Sequence, residues 1–570
     1  MNCKLIPAVL RVGLVSAVMV TDLSDSLNSA ERTQGRSMVV SKQGIVAAEH
    51  PLAAQAGAEV LAQGGSAVDA AVAANAVMGV VAPMMCGVGG DLFAIVYDAR
   101  SGTLHGLNAS GWAPSGLTIE FLRQRGHTNM PLSGIHSVTV PGAVDGWGKL
   151  VGRFGRKPLR QSLTPAIRYA EDGFPVSELV AEYWSSGERL LRGDANATRT
   201  FLPGGRAPQF GEVFRNPDLA AAYRMIATRG PRVMYEGELA RRVVAWSQRL
   251  GGTLTKDDLR AFEAEWVKPI SVTYRGWTVH EIPPNGQGIA ALMMLNLMEC
   301  QSLADYGHLS ARALHSMIES KKLAYADLLK YIADPRVNRV PVAGLLDKQY
   351  ARMRAALIDP SRANCNVAPG VPPEAGNDTT YLCAVDSDGN MISLIQSNYY
   401  SFGSGLVPDG CGFVLQNRGG LFSFDPGHPN ALAGRKRPLH TIIPGFMERD
   451  SLRIAFGIMG GWNQAQAHAQ FVANVVDYGL NIQAALEAPR FTKMTFTGCD
   501  VQIESRVPGE TVDQLRALGH EVKTIGAFAQ AVGGGQAVLR DFARGVNYGA
   551  SDPRKDGAAI PQPVSIKGAD

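Results

Sequence analysis

Cysteine is sparse and scattered. Seven occur in 570 residues, at Cys3, Cys86, Cys300, Cys365, Cys383, Cys411 and Cys499, and no two have C-x-x-C spacing. That spacing excludes a zinc ribbon and a dithiol redox motif, and the odd set reads as mostly reduced thiols in cores, with room for one disulfide. No dense Lys/Arg run interleaved with aromatics appears, and the net charge of +4 is small for this length. Nucleic acid is therefore not an expected partner. The motifs G-x-S-x-G, H-E-x-x-H and G-x-x-x-x-G-K-[ST] are missing, which argues against an α/β-hydrolase elbow, a zincin and a P-loop. Gly87-Val88-Gly89-Gly90 lacks the third glycine of a dinucleotide fingerprint and reads as a turn. No cluster of His, Cys and carboxylates has ligand spacing, so no metal and no organic cofactor is expected. There is no internal repeat.

What is present is a globular composition. Apolar residues make up 46% and charged residues 19%, enough to build a large buried core. The 63 glycines are many, and several stand in pairs such as Gly64-Gly65, Gly89-Gly90 and Gly460-Gly461, where tight turns and close backbone approaches are expected. At the N-terminus, Lys4 and Arg11 precede an apolar run over 12–20, too short to span a bilayer. It reads as the h-region of a signal peptide, or as residues ahead of a true start at Met38. Localisation stays open between cytoplasmic, slightly preferred, and periplasmic or secreted. Residues 1–43 are set aside as a leader.

From Gly44 the pattern becomes regular. Residues 51–62 predict a helix stopped by Gly64-Gly65, and 66–81 a second helix with Ser66 as N-cap, apolar on nearly every face and so deeply placed. Residues 92–97 and 104–107 predict a hairpin turning at Ser101-Gly102. The middle, about 140–360, is mainly helical, for example over 165–171, 238–250 and 311–329, with extended pieces at 270–274 and 278–282. Residues 360–377 are rich in Asn, Pro, Gly and Ala and read as a linker ending at Asp378. Beyond it, 379–386 and 391–397 predict strands around an Asp388-Gly389 turn. A strand over 454–458 runs into Gly460-Gly461, and a helix over 464–478 follows. Two β-rich blocks, before and after the helical middle, can pair as stacked sheets flanked by helices.

One constellation points to chemistry. If the Asp378–Thr379 bond were cut, Thr379 would carry both a hydroxyl and a free α-amine. Such an amine has a pKa of about 7.7–8.0 and can act as base toward its own hydroxyl. One residue then supplies nucleophile and base, the N-terminal-threonine variant of the catalytic triad. Gly460-Gly461, after a strand, can turn backbone N–H groups toward a substrate carbonyl as an oxyanion hole, typically worth about 3–4 kcal/mol per donor. Ser397, at the far end of the hairpin, is expected beside Thr379 and able to orient its hydroxyl. Taken singly, each feature has a plain structural explanation: a Thr at a strand start, a tight turn, a Ser at a strand end.

The frame around these residues resembles the gamma-glutamyltransferase (glutathione hydrolase) family of N-terminal-nucleophile hydrolases. The resemblance runs from about Gly44 to Arg554, through HPLAAQAGAEVLAQGGSAVDAAVAANAVMGVVAP, GVGGDLF, VPGAVDGW, NDTTYLCAVDSDGNMISLIQSNYYSFGSGL, KRPLHTIIP and GASDPR. It implies an α+β fold, a four-layer αββα sandwich formed jointly by two autoprocessed subunits, 44–378 and 379–570, which stay together as a heterodimer that itself can pair. It implies a zymogen cut before Thr379, an acyl-enzyme on Thr379, and release to water or an amine acceptor, acting on a small-molecule amide with no membrane span. Ser397 matches a position where the family usually has Thr, and Gly460 and Gly461 match its oxyanion pair.

The substrate positions depart from that family. Ser110 stands where it has an Arg for the α-carboxylate, Leu421 where it has an Asp for the α-amine, and His440-Thr441 where it has a Ser pair. Losing those charged contacts weakens glutamyl recognition. Arg418, His440 and Thr441 instead offer polar groups to a different acyl group. The pattern NRGG…RPLHT resembles the oxamate-amidohydrolase-like branch, which acts on a small anionic amide. A structural ion pair for Arg418, a core position for His440, and an inert binding protein on the same fold are the competing readings.

Overall fold

The computed structural model describes Arg32, residues 34–372 and residues 382–564. Asp378 and Thr379 lie outside the described residues, as does most of the N-terminal segment. The strands, in chain order, are β1 (Val39–Ser41), β2 (Ile45–Ala48), β3 (Asp91–Asp98), β4 (Thr103–Ala109), β5 (Glu265–Val267), β6 (Ile270–Tyr274), β7 (Trp277–Glu281), β8 (Cys383–Val385), β9 (Met391–Ser397), β10 (Gly445–Arg449), β11 (Leu452–Ile458), β12 (Phe491–Thr492), β13 (Asp500–Glu504), β14 (Glu521–Ile525), β15 (Gly535–Asp541), β16 (Val546–Ser551) and β17 (Ala558–Pro561). A short two-stranded ladder, Phe174–Pro175 with Val213–Phe214, stands apart. The principal helices are α1 (Pro51–Ala62), α2 (Ala67–Val81), α3 (Leu159–Asp172), α4 (Glu238–Arg249), α5 (Gly288–Glu299), α6 (Ala311–Tyr331), α7 (Gln464–Val476) and α8 (Gly509–Ala517).

Two seven-stranded antiparallel sheets form the centre. One runs β1-β16-β15-β11-β10-β7-β6 and the other β17-β2-β8-β9-β3-β4-β5. Their facing sides enclose an apolar layer that includes Ile45, Phe93, Ile95, Cys383, Ile395, Phe446, Ala455 and Val538. α1 and α2 cover the outer side of the second sheet, with α3 on α2, and α5 and α7 cover the first, with α6 on α5. Each helical layer adds its own core. The result is the αββα sandwich expected from the resemblance. Among the described residues no helix is long and apolar enough to cross a membrane.

The two β-rich blocks do not each make one sheet, as their separation in sequence suggested. Both sheets mix strands from before and after residue 378: β8 lies between β2 and β9, and β9 pairs with β3. Each strand there is apolar on both faces, because one face meets the other sheet and one meets helices, so hydrogen-bond partners are chosen by shape rather than by chain order. The fold also begins before the end of the segment set aside as a leader. Val39–Ser41 already pair with Asn547–Gly549.

Local chemistry explains the elements that frame the site. Ser66 and Asp69 form a capping box: the Ser66 hydroxyl accepts from the Asp69 N–H, and the Asp69 carboxylate accepts from the Ser66 N–H. Every residue of α2 is buried, as its unbroken apolar composition requires. The β8–β9 turn uses Gly389 at φ +88°, a left-handed conformation open to glycine.

The cysteine expectation, which left room for one disulfide, needs correction only at Cys300. Cys365 and Cys499 form a disulfide, and Cys300 is exposed rather than in a core. Cys86, Cys383 and Cys411 are buried and stand outside any disulfide. The disulfide partners are 134 residues apart, a separation with no signal in the sequence.

Candidate active site

A cavity of about 480 Å³ opens between the two sheets at the end of β9 and β11. Ser397, Thr441, Gly460 and Gly461 all line it, together with Leu382, which leads into β8, and Tyr399. Four of the positions singled out in the sequence therefore meet on one space.

The glycine turn is held from behind. Gly460 has φ +134° and Gly461 φ +60°, values an L side chain rarely adopts. Gln287, buried just ahead of α5, donates from Nε2 to the Gly461 carbonyl at 2.8 Å and also to the Thr441 carbonyl. The Tyr325 hydroxyl of α6 donates to the Trp462 carbonyl at 2.6 Å, and the Asn463 N–H donates to the Gly460 carbonyl at 3.1 Å. The carbonyls are thus engaged, while no described group accepts from the N–H of Gly460 or Gly461. Two unpaired N–H groups at the rim of a cavity are suited to an oxyanion.

Ser397 closes β9 opposite Asp91 of β3. Its Oγ accepts from the Tyr399 N–H at 2.8 Å, which leaves its own proton free to donate. Tyr399 has φ +81°, unusual for a bulky residue and a mark of a constrained turn at this site.

Behind the wall stands Asp91, which sequence reasoning passed over. Its carboxylate has no solvent exposure and accepts from the Gly111 N–H (2.9 Å), Gln416 Nε2 (2.7 Å) and His440 Nε2 (2.7 Å). Arg418 Nε lies 3.5 Å from the same carboxylate. Burial, with the Arg418 charge beside it, pushes His440 down to about 3, so the ring is neutral and its Nε2–H donates to Asp91. Burial also lowers Arg418 to about 10, still protonated at neutral pH. Arg418 Nη1 donates to Thr441 Oγ1 at 2.8 Å, and the guanidinium lies 4.6 Å from the Tyr399 ring centroid. Its Nη2 has no partner among the described residues. A lone acid opening an apolar strand, as in Gly90-Asp91-Leu92, was the available signal.

Arg418 and His440 do not line the cavity; they form the layer behind Thr441 and Tyr399. Ser110 sits further away, its hydroxyl donating to Asn108 Oδ1 at 2.7 Å and its carbonyl accepting from Arg437 Nε at 2.9 Å. Leu421 likewise has no place on the cavity wall. The fold does assemble one ligand-like cluster invisible in sequence, His315, Glu319 and His520. Its donors are largely engaged already: His315 by His520 and the Asp359 carbonyl, Glu319 by Lys322 and the Asn364 N–H.

The four-layer sandwich is the fold of the N-terminal-nucleophile hydrolases. The gamma-glutamyltranspeptidase family model matches residues 53–562, and the chain belongs to that family. It is 36% identical to the glutathione hydrolase-like YwrD proenzyme of Bacillus subtilis, over 92% of this chain and 99% of that protein. It is 35% identical to the oxamate amidohydrolase proenzyme of Klebsiella pneumoniae, over 91% and 98%. The solved cephalosporin acylase from Bacillus halodurans superposes with a TM-score of 0.87 at 42% identity, covering 94% of this chain and 98% of that one.

Proposed function

We propose that the chain matures by cleavage of the Asp378–Thr379 bond and then hydrolyses a small anionic amide through an acyl-enzyme on Thr379. The observation that carries this reading is the convergence of Gly460, Gly461, Ser397 and Leu382 on one cavity. Cys383 pairs with Ser393 and Val385 with Met391.

In the proposed reaction the Thr379 α-amine takes the proton of its own hydroxyl, and Oγ1 attacks the amide carbonyl. The Gly460 and Gly461 N–H groups receive the developing oxyanion, and Ser397 orients the nucleophile. The protonated amine returns its proton to the leaving nitrogen. Water, or an amine acceptor, then attacks the ester with the same base; Thr379 Oγ1 leaves and takes back a proton, and the acid is released with water or a new amide with the amine.

Two features support an anionic acyl group. Arg418 is charged and buried behind Thr441 and Tyr399, with its Nη2 unpartnered among the described residues; its positive field behind the wall favours an anion in the cavity. Ser110 carries no charge and sits off the cavity, so the glutamyl contacts of the family are missing. The relative named oxamate amidohydrolase fits this chemistry. A gamma-glutamyl donor is the second reading, favoured by the family itself.

The test measures ammonia release from oxamate and other short ω-amide acids, beside cleavage of a gamma-glutamyl anilide. Turnover of the short anionic amides supports the proposal. Efficient gamma-glutamyl cleavage with none of the short amides consumed overturns the substrate reading. Retained activity in Thr379→Ala overturns the mechanism.

A further inference from the structure

The Cys365–Cys499 disulfide is asymmetric. Cys365 is exposed, on the segment that leads to the proposed cleavage site, whereas Cys499 is 1% exposed. Lys322 of α6, itself buried, places its ammonium 3.6 Å from Cys499 Sγ. That ammonium is held by Glu319 Oε1 at 2.7 Å and by the Asn364 carbonyl at 3.0 Å. The other charged or titratable groups around it are His315, His520, Lys493 and Asp500. Backbone bonds fasten the same segment to the far side of the junction: Ala363 N–H to the Leu518 carbonyl (2.7 Å) and Gly498 N–H to the Cys365 carbonyl (3.0 Å).

Thiol–disulfide exchange requires access to one sulfur and a stable thiolate on the other. Here solvent reaches Cys365, and the cation stands at Cys499. We propose that this disulfide is an exchange site for a small-molecule thiol, directional from Cys365 to Cys499, and that in the mature enzyme it is the covalent bond between the two subunits. The second half rests on cleavage at Asp378–Thr379; the first does not. In the exchange, the reagent thiolate attacks Cys365 Sγ, and a bond forms between these two sulfurs. The Cys365–Cys499 bond breaks, and its electron pair leaves on Cys499 Sγ as a thiolate beside Lys322. The reagent sulfur is oxidised as Cys499 is reduced, so no further oxidant is needed.

The purified full-length protein is treated with 2-mercaptoethanol, quenched with N-ethylmaleimide, and analysed by intact mass and peptide mapping. The expected product carries the reagent on Cys365 and the maleimide on Cys499. The reagent on Cys499, or no exchange until the protein unfolds, overturns the proposal. Lys322→Met is expected to slow exchange about tenfold through a poorer leaving thiolate; an unchanged rate removes the directing role of Lys322. Mature protein without thiol is expected to run as one linked species in denaturant and as two chains after treatment. Thr379→Ala separates the two readings: it still exchanges at Cys365 but remains one chain. If wild type is never cut, the cleavage reading fails while the exchange result stands.

Discussion

His468 Nε2 accepts a hydrogen bond from the Ile458 backbone N–H at 3.1 Å, at the end of β11, next to the Gly460-Gly461 turn. Its Nδ1 lies 2.9 Å from Glu281 Oε1. The ring is therefore neutral, protonated at Nδ1, and burial pushes it down from 6.5 to about 3. Between those values the unfolded chain binds the proton and the folded one does not. Stability is fully present above about pH 6.5 and is lost as pH falls toward about 3. The slope for one such group is about 1.4 kcal/mol per pH unit. His468→Gln is expected to flatten the fall of the thermal midpoint between pH 6.5 and 4. An unchanged slope would show that His468 is not the responsible group.

Asp91 compensates the buried Arg418 charge and holds His440. Asp91→Asn strands that charge, at a cost of about 3–5 kcal/mol. A thermal midpoint lowered by several degrees is expected. A midpoint equal to wild type would mean that Arg418 relies on another anion.

Thr379→Ala is expected to give one uncut chain of 60.8 kDa with no amidase activity. Wild type should give chains of about 40 and about 20 kDa, in proportion to residue number, the smaller beginning Thr379-Thr380-Tyr381. They are best separated after thiol treatment. A cut Thr379→Ala protein would remove Thr379 from both roles.

Gly461→Ala tests the oxyanion turn by conformation rather than by bulk. No atom lies within 4 Å of an added Cβ, but φ is +60°. The strain of about 1–3 kcal/mol re-aims the N–H groups, and kcat is expected to fall about 100- to 1,000-fold, with smaller change in KM. Wild-type kcat in this variant would place the oxyanion elsewhere.

Arg418→Gln removes the cation behind Thr441, not a direct substrate contact, and through the loss of its field should lower kcat/KM for short anionic amides about tenfold. Neutral amides of equal size should be affected far less. Equal losses on both would make Arg418 a structural cation only.

Much of the local structure was legible. The 51–62 helix, the Ser66 cap, the 270–274 and 391–397 strands and the Gly389 turn follow from periodicity, capping chemistry and turn residues, all of which act over a few positions. The positions Ser397, Thr441, Gly460 and Gly461 were also found from sequence, and they line one cavity. Asp91, Gln287 and Tyr399 were missed because their significance lies in partners far along the chain.

The sequence by itself determined the family, the strong helices and strands and the glycine turn, because these depend on order and short-range chemistry. Only the tertiary structure decided that strands from both sides of residue 378 interleave in each sheet. It alone put Arg418 and His440 behind the cavity wall on Asp91, and joined Cys365 to Cys499. The physical reason is common to all three: burial between packed layers selects partners by shape and by charge compensation, and neither is encoded in spacing along the chain.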